Sequence, residues 1–97
     1  MPSASRLGDT GSGHESWPAT NVIEASSDVI TEGVGQARVG DALASHGSPS
    51  PSPVHGRTIA AGSSTVIVNG RKAVRIGDAV ACGGLLVSGA STVNIGG

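Results

Sequence analysis

Aromatic residues are nearly missing from this 97-residue chain: Trp17 stands alone, and there is no Phe or Tyr. Aromatic side chains usually supply much of the buried area of a core, so this chain must fold on smaller aliphatic residues. It also contains 16 Gly, each of which loses extra backbone entropy on folding. Because a chain of this length has a marginal core, we expect a further source of stability: a staple, a partner or oligomer contacts.

Cysteine is equally scarce: Cys82 is the only one, which excludes an internal disulfide. No apolar run approaches the ~20 residues of a transmembrane helix, and residues 1–10 lack the apolar segment of a signal peptide. The net charge of −1 and the scattered Lys and Arg argue against nucleic acid as a partner. Because 37% of the residues are hydrophobic, the composition does not indicate disorder. We expect a single domain over residues 1–97, without an additional domain.

An internal repeat with an offset of 37 residues organises the chain. Two pairs of segments match without a gap: 26–33 with 63–70, and 37–42 with 74–79. Partial copies lie at both ends, in residues 6–9 and 91–97. The two ends together are therefore predicted to supply one further unit, which gives approximate threefold internal symmetry.

Each unit has the pattern of a strand, a turn and a returning strand. Residues 65–68 are rich in β-branched side chains and precede Asn69-Gly70, the strongest short-range signal for a hairpin. Residues 72–76 are predicted to form the returning strand. Residues 29–31 and 36–39 repeat the pattern more weakly around Glu32-Gly33, and no segment has helical periodicity with caps. The sequence thus predicts an all-β chain of short hairpins.

One tetrapeptide occurs three times: Arg, an aliphatic residue, Gly and Asp (the RxGD motif), at residues 6–9, 38–41 and 75–78. Two interpretations are open. The Arg residues are solvated and the Asp residues satisfy turn backbone groups, or Arg and Asp from neighbouring units pair and hold the turns in place. Neither interpretation gives these Arg and Asp residues a catalytic role.

The His and Cys residues follow these motifs. His14, His46 and Cys82 each lie four or five residues after the Asp of an RxGD motif, and His55 follows a proline-rich stretch. Equivalent positions of units arranged around an axis converge, so these side chains are expected to meet, with His55 as a fourth ligand. Three imidazoles and one thiolate suit tetrahedral Zn²⁺, and four protein ligands leave no open position. The sequence predicts one structural zinc ion per chain.

Other interpretations of the same residues are weaker. The alternatives are a set of unrelated surface histidines with a small buried cysteine, a catalytic zinc site, or a Cys–His nucleophilic pair that uses Cys82. No acidic residue lies in a motif beside a ligand as a general base: Glu15 follows His14, but no His-Glu-x-x-His helix surrounds it. We therefore expect that the protein is not an enzyme.

The ordered set of motifs resembles the PAAR-repeat family, which is named for a Pro-Ala-Ala-Arg sequence. The corresponding segments are Gly35-Gln36-Ala37-Arg38 and Lys72-Ala73-Val74-Arg75, each followed by the rest of an RxGD motif. The segments Pro53-Val54-His55-Gly56 and Val93-Asn94-Ile95-Gly96 are also similar to the family. The literal Pro-Ala-Ala-Arg sequence is absent, but the resemblance extends over essentially the whole chain.

The resemblance implies a small cone of β-hairpins with pseudo-threefold symmetry and a zinc ion near its apex, held here by His14, His46, His55 and Cys82. It implies a single chain that caps a trimeric β-helical spike, either the VgrG-type spike of a type VI secretion system or that of a contractile phage tail. Strands around residues 66–68 and 93–95 are expected to form the base and to extend the sheets of the spike.

A tip of this kind helps to pierce the target envelope, touches the target membrane transiently and can carry effector proteins. The resemblance places the chain in the cytoplasm before assembly and outside the cell after delivery, or in a phage virion. Two alternatives remain: a zinc-dependent hydrolase or toxin, and a metal-free β-structured phage structural protein.

Overall fold

The computed structural model describes residues 2–13, 18–46, 55–81 and 83–97, with the side chains of His46 and His55 excepted. Within these ranges the chain is all-β without a helix, as predicted, and its strands form four antiparallel pairs: β1–β2, β3–β4, β5–β6 and β7–β8. The strands are β1 Thr10–Gly11, β2 Thr20–Asn21, β3 Ile30–Thr31, β4 Val34–Gly35, β5 Ala42–His46, β6 His55–Thr58, β7 Ile67–Val68 and β8 Arg71–Lys72.

Three equivalent units surround one axis. Unit 1 consists of residues 2–13 with 89–97, unit 2 of residues 25–46 and unit 3 of residues 62–81. At the axis three backbone hydrogen bonds close a ring: Ser5 N donates to Val74 O (3.0 Å), Val74 N to Ala37 O (3.1 Å), and Ala37 N to Ser5 O (3.1 Å). The 37-residue repeat is therefore a true structural repeat with pseudo-threefold symmetry.

The two chain ends together form unit 1, as the partial repeats predict. Ser3 and Asn94 form an antiparallel bridge, and Ile95 N donates to Pro2 O at 2.9 Å. The hydrogen bond that closes each unit occurs three times at 2.9 Å: from Ala4 N to Val93 O, from Gln36 N to Val29 O and from Ala73 N to Val66 O. A short hairpin within units 2 and 3 thus corresponds to a pairing of distant segments in unit 1.

The returning strands are shorter than predicted. In unit 3 the hairpin contains only Ile67–Val68 and Arg71–Lys72, whereas a return over residues 72–76 was expected. The following residues leave the hairpin because they bridge the other units: Ala73 pairs with Arg38, and Arg75 pairs with Ala4. Closure around the axis therefore competes with extension of the hairpins and ends them early.

Two apolar clusters lie along the axis. The larger contains Val22, Ala37, Leu43, Ile59, Val74, Val80 and Leu86. The smaller, at the end that carries the β3–β4 and β7–β8 turns (the hairpin end), contains Ala4, Val68, Ala73 and Ile95. At one level Gly11 occupies the position equivalent to Leu43 and Val80, and a Cβ on Gly11 would lie 2.4 Å from Leu43 Cδ2. Leu43 thus occupies the space that a side chain at position 11 would need.

A buried amide lies at the ring of backbone bonds. Gln36 Nε2 donates to Ser5 O and Ala37 O at 3.0 Å and to Val74 O at 3.1 Å. Gln36 Oε1 accepts a hydrogen bond from Thr31 Oγ1 at 2.9 Å. One side chain from unit 2 therefore reaches a carbonyl of every unit, while the equivalent positions in the other two units are alanines, Ala4 and Ala73.

The RxGD motifs form closed loops within each unit. Each Arg side chain pairs with the Asp three residues later: Arg6 with Asp9 (3.0 Å), Arg38 with Asp41 (2.8 Å) and Arg75 with Asp78 (3.0 Å). Each Asp also accepts the backbone N–H of its Arg, at 2.7 to 2.8 Å. Side-chain hydrogen bonds to the Asp residues raise the pKa of all three Arg. Of the two open interpretations, pairing of these Arg and Asp residues between units is wrong, because each pair lies within one unit. The Arg side chains are not solvated either, since each is bound to its Asp, but the satisfaction of turn backbone groups by the Asp residues is confirmed.

No helix in the described part of the chain has the length and apolar character that crossing a membrane requires.

Candidate metal centre

Two of the four predicted ligands are placed at the backbone level. His46 ends β5 and His55 begins β6, and the two residues are directly opposite partners in this antiparallel pair, beyond a register irregularity that follows Leu43. The side chains of both, and the whole of His14 and Cys82, lie outside the described residues. The predicted ligand set therefore stays a prediction, with two of its members on paired strands.

The described neighbours of the other two ligands lie beside the same pair of strands. Ser12 precedes His14 by two residues, and Gly83 follows Cys82 directly. Both Ser12 and Gly83 accept hydrogen bonds through their carbonyl oxygens from Arg57, which lies in β6 two residues after His55. The segments that carry all four predicted ligands thus lead to one end of the molecule, which we call the Arg57 end.

Arg57 is the largest fully buried side chain among the described residues, with 2% of its surface exposed. Its Nη1 donates to Gly11 O at 3.1 Å and to Thr20 Oγ1 at 3.0 Å, and its Nη2 donates to Ser12 O and, at 3.2 Å, to Gly83 O. Sequence reasoning missed this residue. Arg57 belongs to no RxGD motif, and its only signal is its position two residues after His55.

Direct bonds between the flanking segments reinforce the Arg57 end. Ser12 N donates to Leu85 O at 2.8 Å, and Leu85 N donates to Ser12 Oγ at 2.9 Å. Gly84 has a φ of +89°, and a Cβ there would lie 2.3 Å from Ser12 O, so a residue without a side chain is needed for this close approach. Within the described ranges no three His, Cys, Asp or Glu residues are grouped as a metal site requires.

At the hairpin end, the turn of each unit contacts the next unit. The turn residues Glu32, Asn69 and Gly96 occupy equivalent positions. Glu32 accepts hydrogen bonds from Ser91 and Thr92 of unit 1, Asn69 from Ser26 of unit 2, and the Gly96 carbonyl from Ser63 of unit 3. The same three acceptors bind Arg6, Arg38 and Arg75 at 3.0 to 3.2 Å. The units are thereby joined in a second closed ring.

Exposed aliphatic residues flank the hairpin end. Ile30 and Ile67 occupy equivalent outward positions of β3 and β7, and 57% and 55% of their surfaces are exposed. The third equivalent, Asn94, is also exposed but polar. Two of the three faces therefore present an isoleucine beside the short strands.

Comparison of the sequence with known protein families supports this architecture. A family model described as the PAAR motif matches residues 12–88, which is most of the chain. A comparison with curated proteins finds no match. The PAAR family is a structural family associated with the spike tips of type VI secretion systems, and its members generally sit on VgrG spikes. From the extent of this match, together with the threefold hairpin fold, the chain belongs to the PAAR motif family.

Proposed function

We propose that this protein is a non-enzymatic tip that caps the trimeric β-helical spike of a contractile injection machine, a VgrG-type or phage-tail spike. The observation that carries the proposal is the closed ring of three equivalent units, which is made by a single chain. A threefold partner presents three identical sites. A single chain with three corresponding faces can occupy all of them at once, whereas an ordinary asymmetric surface can occupy only one.

The hairpin end is the proposed docking surface. Its edge consists of β7, of the equivalent β3 in unit 2 and of the segment around Asn94, which forms an isolated bridge with Ser3. These three segments carry exposed side chains at Ile67, Ile30 and Asn94. Main-chain pairing with the spike sheets would supply affinity by strand addition, and the outward side chains would supply specificity. Such pairing also covers the open strand edges of the spike.

Spike binding is tested by mixing the purified protein with the trimeric β-helical region of the VgrG-type spike from the same genome. We expect one chain per spike trimer, measured by light scattering after gel filtration. The substitution Ile67→Lys should weaken binding at least tenfold in titration calorimetry, because it puts a charge into the contact; a tenfold loss corresponds to about 1.4 kcal/mol.

The matched control is Ile23→Lys. Ile23 is 56% exposed, like Ile67, but lies beside Arg57 and β5, away from the hairpin end. We expect spike affinity to be unchanged in this variant. Three chains per trimer, no binding by the parent protein, or an equal loss in both variants would refute docking through the hairpin end.

A structural zinc ion at the Arg57 end is the second part of the proposal. His14, His46, His55 and Cys82 would hold it. The donor set of three imidazoles and a thiolate fits Zn²⁺, and His46 lies opposite His55 on paired strands. When bound, the ion would stabilise the Arg57 end of a protein that contains a single aromatic residue, and it would supply the rigidity that a piercing tip needs.

Metal content and thermal stability test this part. We expect about one zinc per chain by elemental mass spectrometry of untagged protein, and a large fall in melting temperature after chelation, since zinc binding contributes on the order of 10 kcal/mol in small domains. Cys82→Ser should lower zinc occupancy and stability together. If the purified protein contains no metal and its melting temperature is unchanged by a chelator, the alternative of a metal-free structural β protein is favoured instead.

The proposed role is mechanical. A contracting sheath would drive the spike, and the tip would concentrate the force on the target envelope during a transient contact with its membrane. The protein would be cytoplasmic before assembly and would leave the cell with the machine, or belong to a virion, and effector proteins would attach as cargo. A zinc-dependent hydrolase or toxin is the contrasting candidate, and hydrolysis that depends on the metal would reveal it.

A further inference from the structure

Arg57 is an unusual residue for the interior of a small protein. Burial of a guanidinium is costly unless its N–H groups are bonded, because water no longer solvates the charge. Arg57 has 2% of its surface exposed, and its two terminal nitrogens donate to four oxygens of residues that the structure describes. The interior around Arg57 is therefore built to receive a planar group with several donors.

The positions of these four oxygens are informative. Gly11 and Ser12 belong to the segment that leads to His14, and Gly83 to the segment that follows Cys82. Arg57 itself lies in β6, which begins at His55, and its cross-strand partner is Leu43 of β5, the strand that ends at His46. One side chain therefore bonds the segments that carry two predicted ligands to the pair of strands that carries the other two.

Three of the four acceptors are backbone carbonyls, separated from Arg57 by 26 to 46 residues in the sequence. A bond to a carbonyl fixes the course of the backbone irrespective of which side chains it carries. The planar fork of guanidinium directs two nitrogens toward separate segments simultaneously, whereas a lysine ammonium is a compact point donor. The Ser12–Leu85 bonds and Gly84 bring the same segments together.

We propose that Arg57 is the positioning residue of the metal centre: its guanidinium holds the His14 and Cys82 segments in register with β5 and β6, so that four ligands from distant parts of the chain meet before metal arrives. This inference rests on the proposed zinc site. Groups outside the ligand shell that orient ligands change metal affinity by about 10- to 100-fold when they are removed, and a site whose supporting contacts are loose loses geometry as well as affinity.

The test compares Arg57→Met and Arg57→Lys with the parent protein, using Zn²⁺ and Co²⁺ alone as the probes. We expect Arg57→Met to raise the dissociation constant for zinc, measured by chelator competition, at least tenfold. Its cobalt-loaded form should show weaker and shifted visible bands, because the tetrahedral field is distorted. Arg57→Lys should recover part of both properties, since it retains charge and some donors.

A control separates positioning from general destabilisation. Val68→Ala removes buried volume from the smaller apolar cluster at the hairpin end. It should lower the melting temperature while leaving the cobalt spectrum unchanged, with all variants compared at a temperature where circular dichroism shows them folded. Where Arg57→Met folds only with metal, the cobalt spectrum of its loaded form still decides the question.

The outcomes distinguish this inference from the zinc proposal. Parent protein that binds zinc, with Arg57→Met giving the same affinity and cobalt spectrum, overturns the positioning role and leaves the zinc site standing. A change in Arg57→Met no larger than in Val68→Ala also overturns it. Parent protein that binds neither zinc nor cobalt overturns the metal centre, and the role of Arg57 with it.

Discussion

Individual residues at the hairpin end are matched to the neighbours that they contact. Glu32 and Asn69 occupy equivalent turn positions, both with positive φ (48° and 53°). Glu32 contacts Thr92, which donates, whereas Asn69 donates from Nδ2 to Asp28 at 3.1 Å, at the position equivalent to Thr92. A carboxylate at 69 would face Asp28, so an amide fits there and an acid fits at 32. Asn tolerates positive φ better than Glu does. Glu32 therefore adopts a less favourable backbone conformation while its carboxylate joins units 1 and 2.

The carboxylate of Glu32 should make stability sensitive to acid. Hydrogen bonds from the hydroxyl and the amide of Thr92 hold the pKa of Glu32 below its usual value. A lowered folded-state pKa means that this stabilisation is present above the unfolded pKa of about 4.3 and is lost as pH falls through the folded pKa. We expect the melting temperature to decrease as the pH is lowered past about 4.3. The Glu32→Gln variant should lose part of this acid dependence.

Glu24→Gln is the matched control, because it changes the net charge equally. Glu24 accepts a hydrogen bond from Ala42 N, away from the ring of turns. The Glu24→Gln variant should retain the acid dependence of the melting temperature that Glu32 contributes. Identical pH profiles for the parent protein and Glu32→Gln, measured by thermal melts from pH 3 to about 7, would show that the Thr92 contacts do not control this titration.

Single buried polar residues mark the limit of what the sequence predicts. The repeated residues of the RxGD motifs were recognisable because each occurs three times at corresponding places. Gln36 and Arg57 break the repeat: alanines occupy the positions equivalent to Gln36 in the other two units, and Arg57 belongs to no motif. Their importance depends on carbonyls that meet at the axis or at the Arg57 end, and only the folded backbone brings those carbonyls together.

At the scale of the elements, sequence patterns predicted the hairpins but not their lengths. Asn69-Gly70 and Glu32-Gly33 form the expected turns, with positive φ at all four residues. The strands on either side contain only two residues each, because Gln36 and Ala73 turn away to bridge Arg6 and Arg38 of other units. β-Propensity describes how a residue fits a pleated surface. It carries no information on which strand supplies that surface.

Among the strands that the structure describes, the two longer ones lie at the Arg57 end. β5 and β6 extend over five and four residues, and they are joined through a segment with no counterpart in the 37-residue alignment. The repeat therefore describes the hairpin end and the centre of the molecule well, and the Arg57 end less well. The predicted zinc site therefore lies in the part of the fold that departs most from the pseudo-threefold symmetry.

The whole molecule is a ring of three units in which the chain ends form one member, and this predicts that the ring can be opened elsewhere. In unit 1 the pairing of Ile95 with Pro2 corresponds to the hairpin of unit 2, and Gly97 has a φ of +80°, close to the +84° of Gly33. Joining Gly97 directly to Pro2 would create a two-residue Gly96-Gly97 turn like Glu32-Gly33. A circular permutant with this join and new ends between Asn69 and Gly70 should therefore fold.

We expect this permutant to melt within about 5 °C of the parent protein, since a change of 1 kcal/mol corresponds to roughly 4–8 °C in a domain of this size. A second permutant, with the same join but opened between Gly40 and Asp41, should melt more than about 10 °C lower. Opening there separates Asp41 from Arg38, and Asp41 is a buried carboxylate that also accepts a hydrogen bond from Arg71. Equal stability of the two permutants would contradict the equivalence of the three hairpins, because the ring would then tolerate a break in a motif as readily as in a turn.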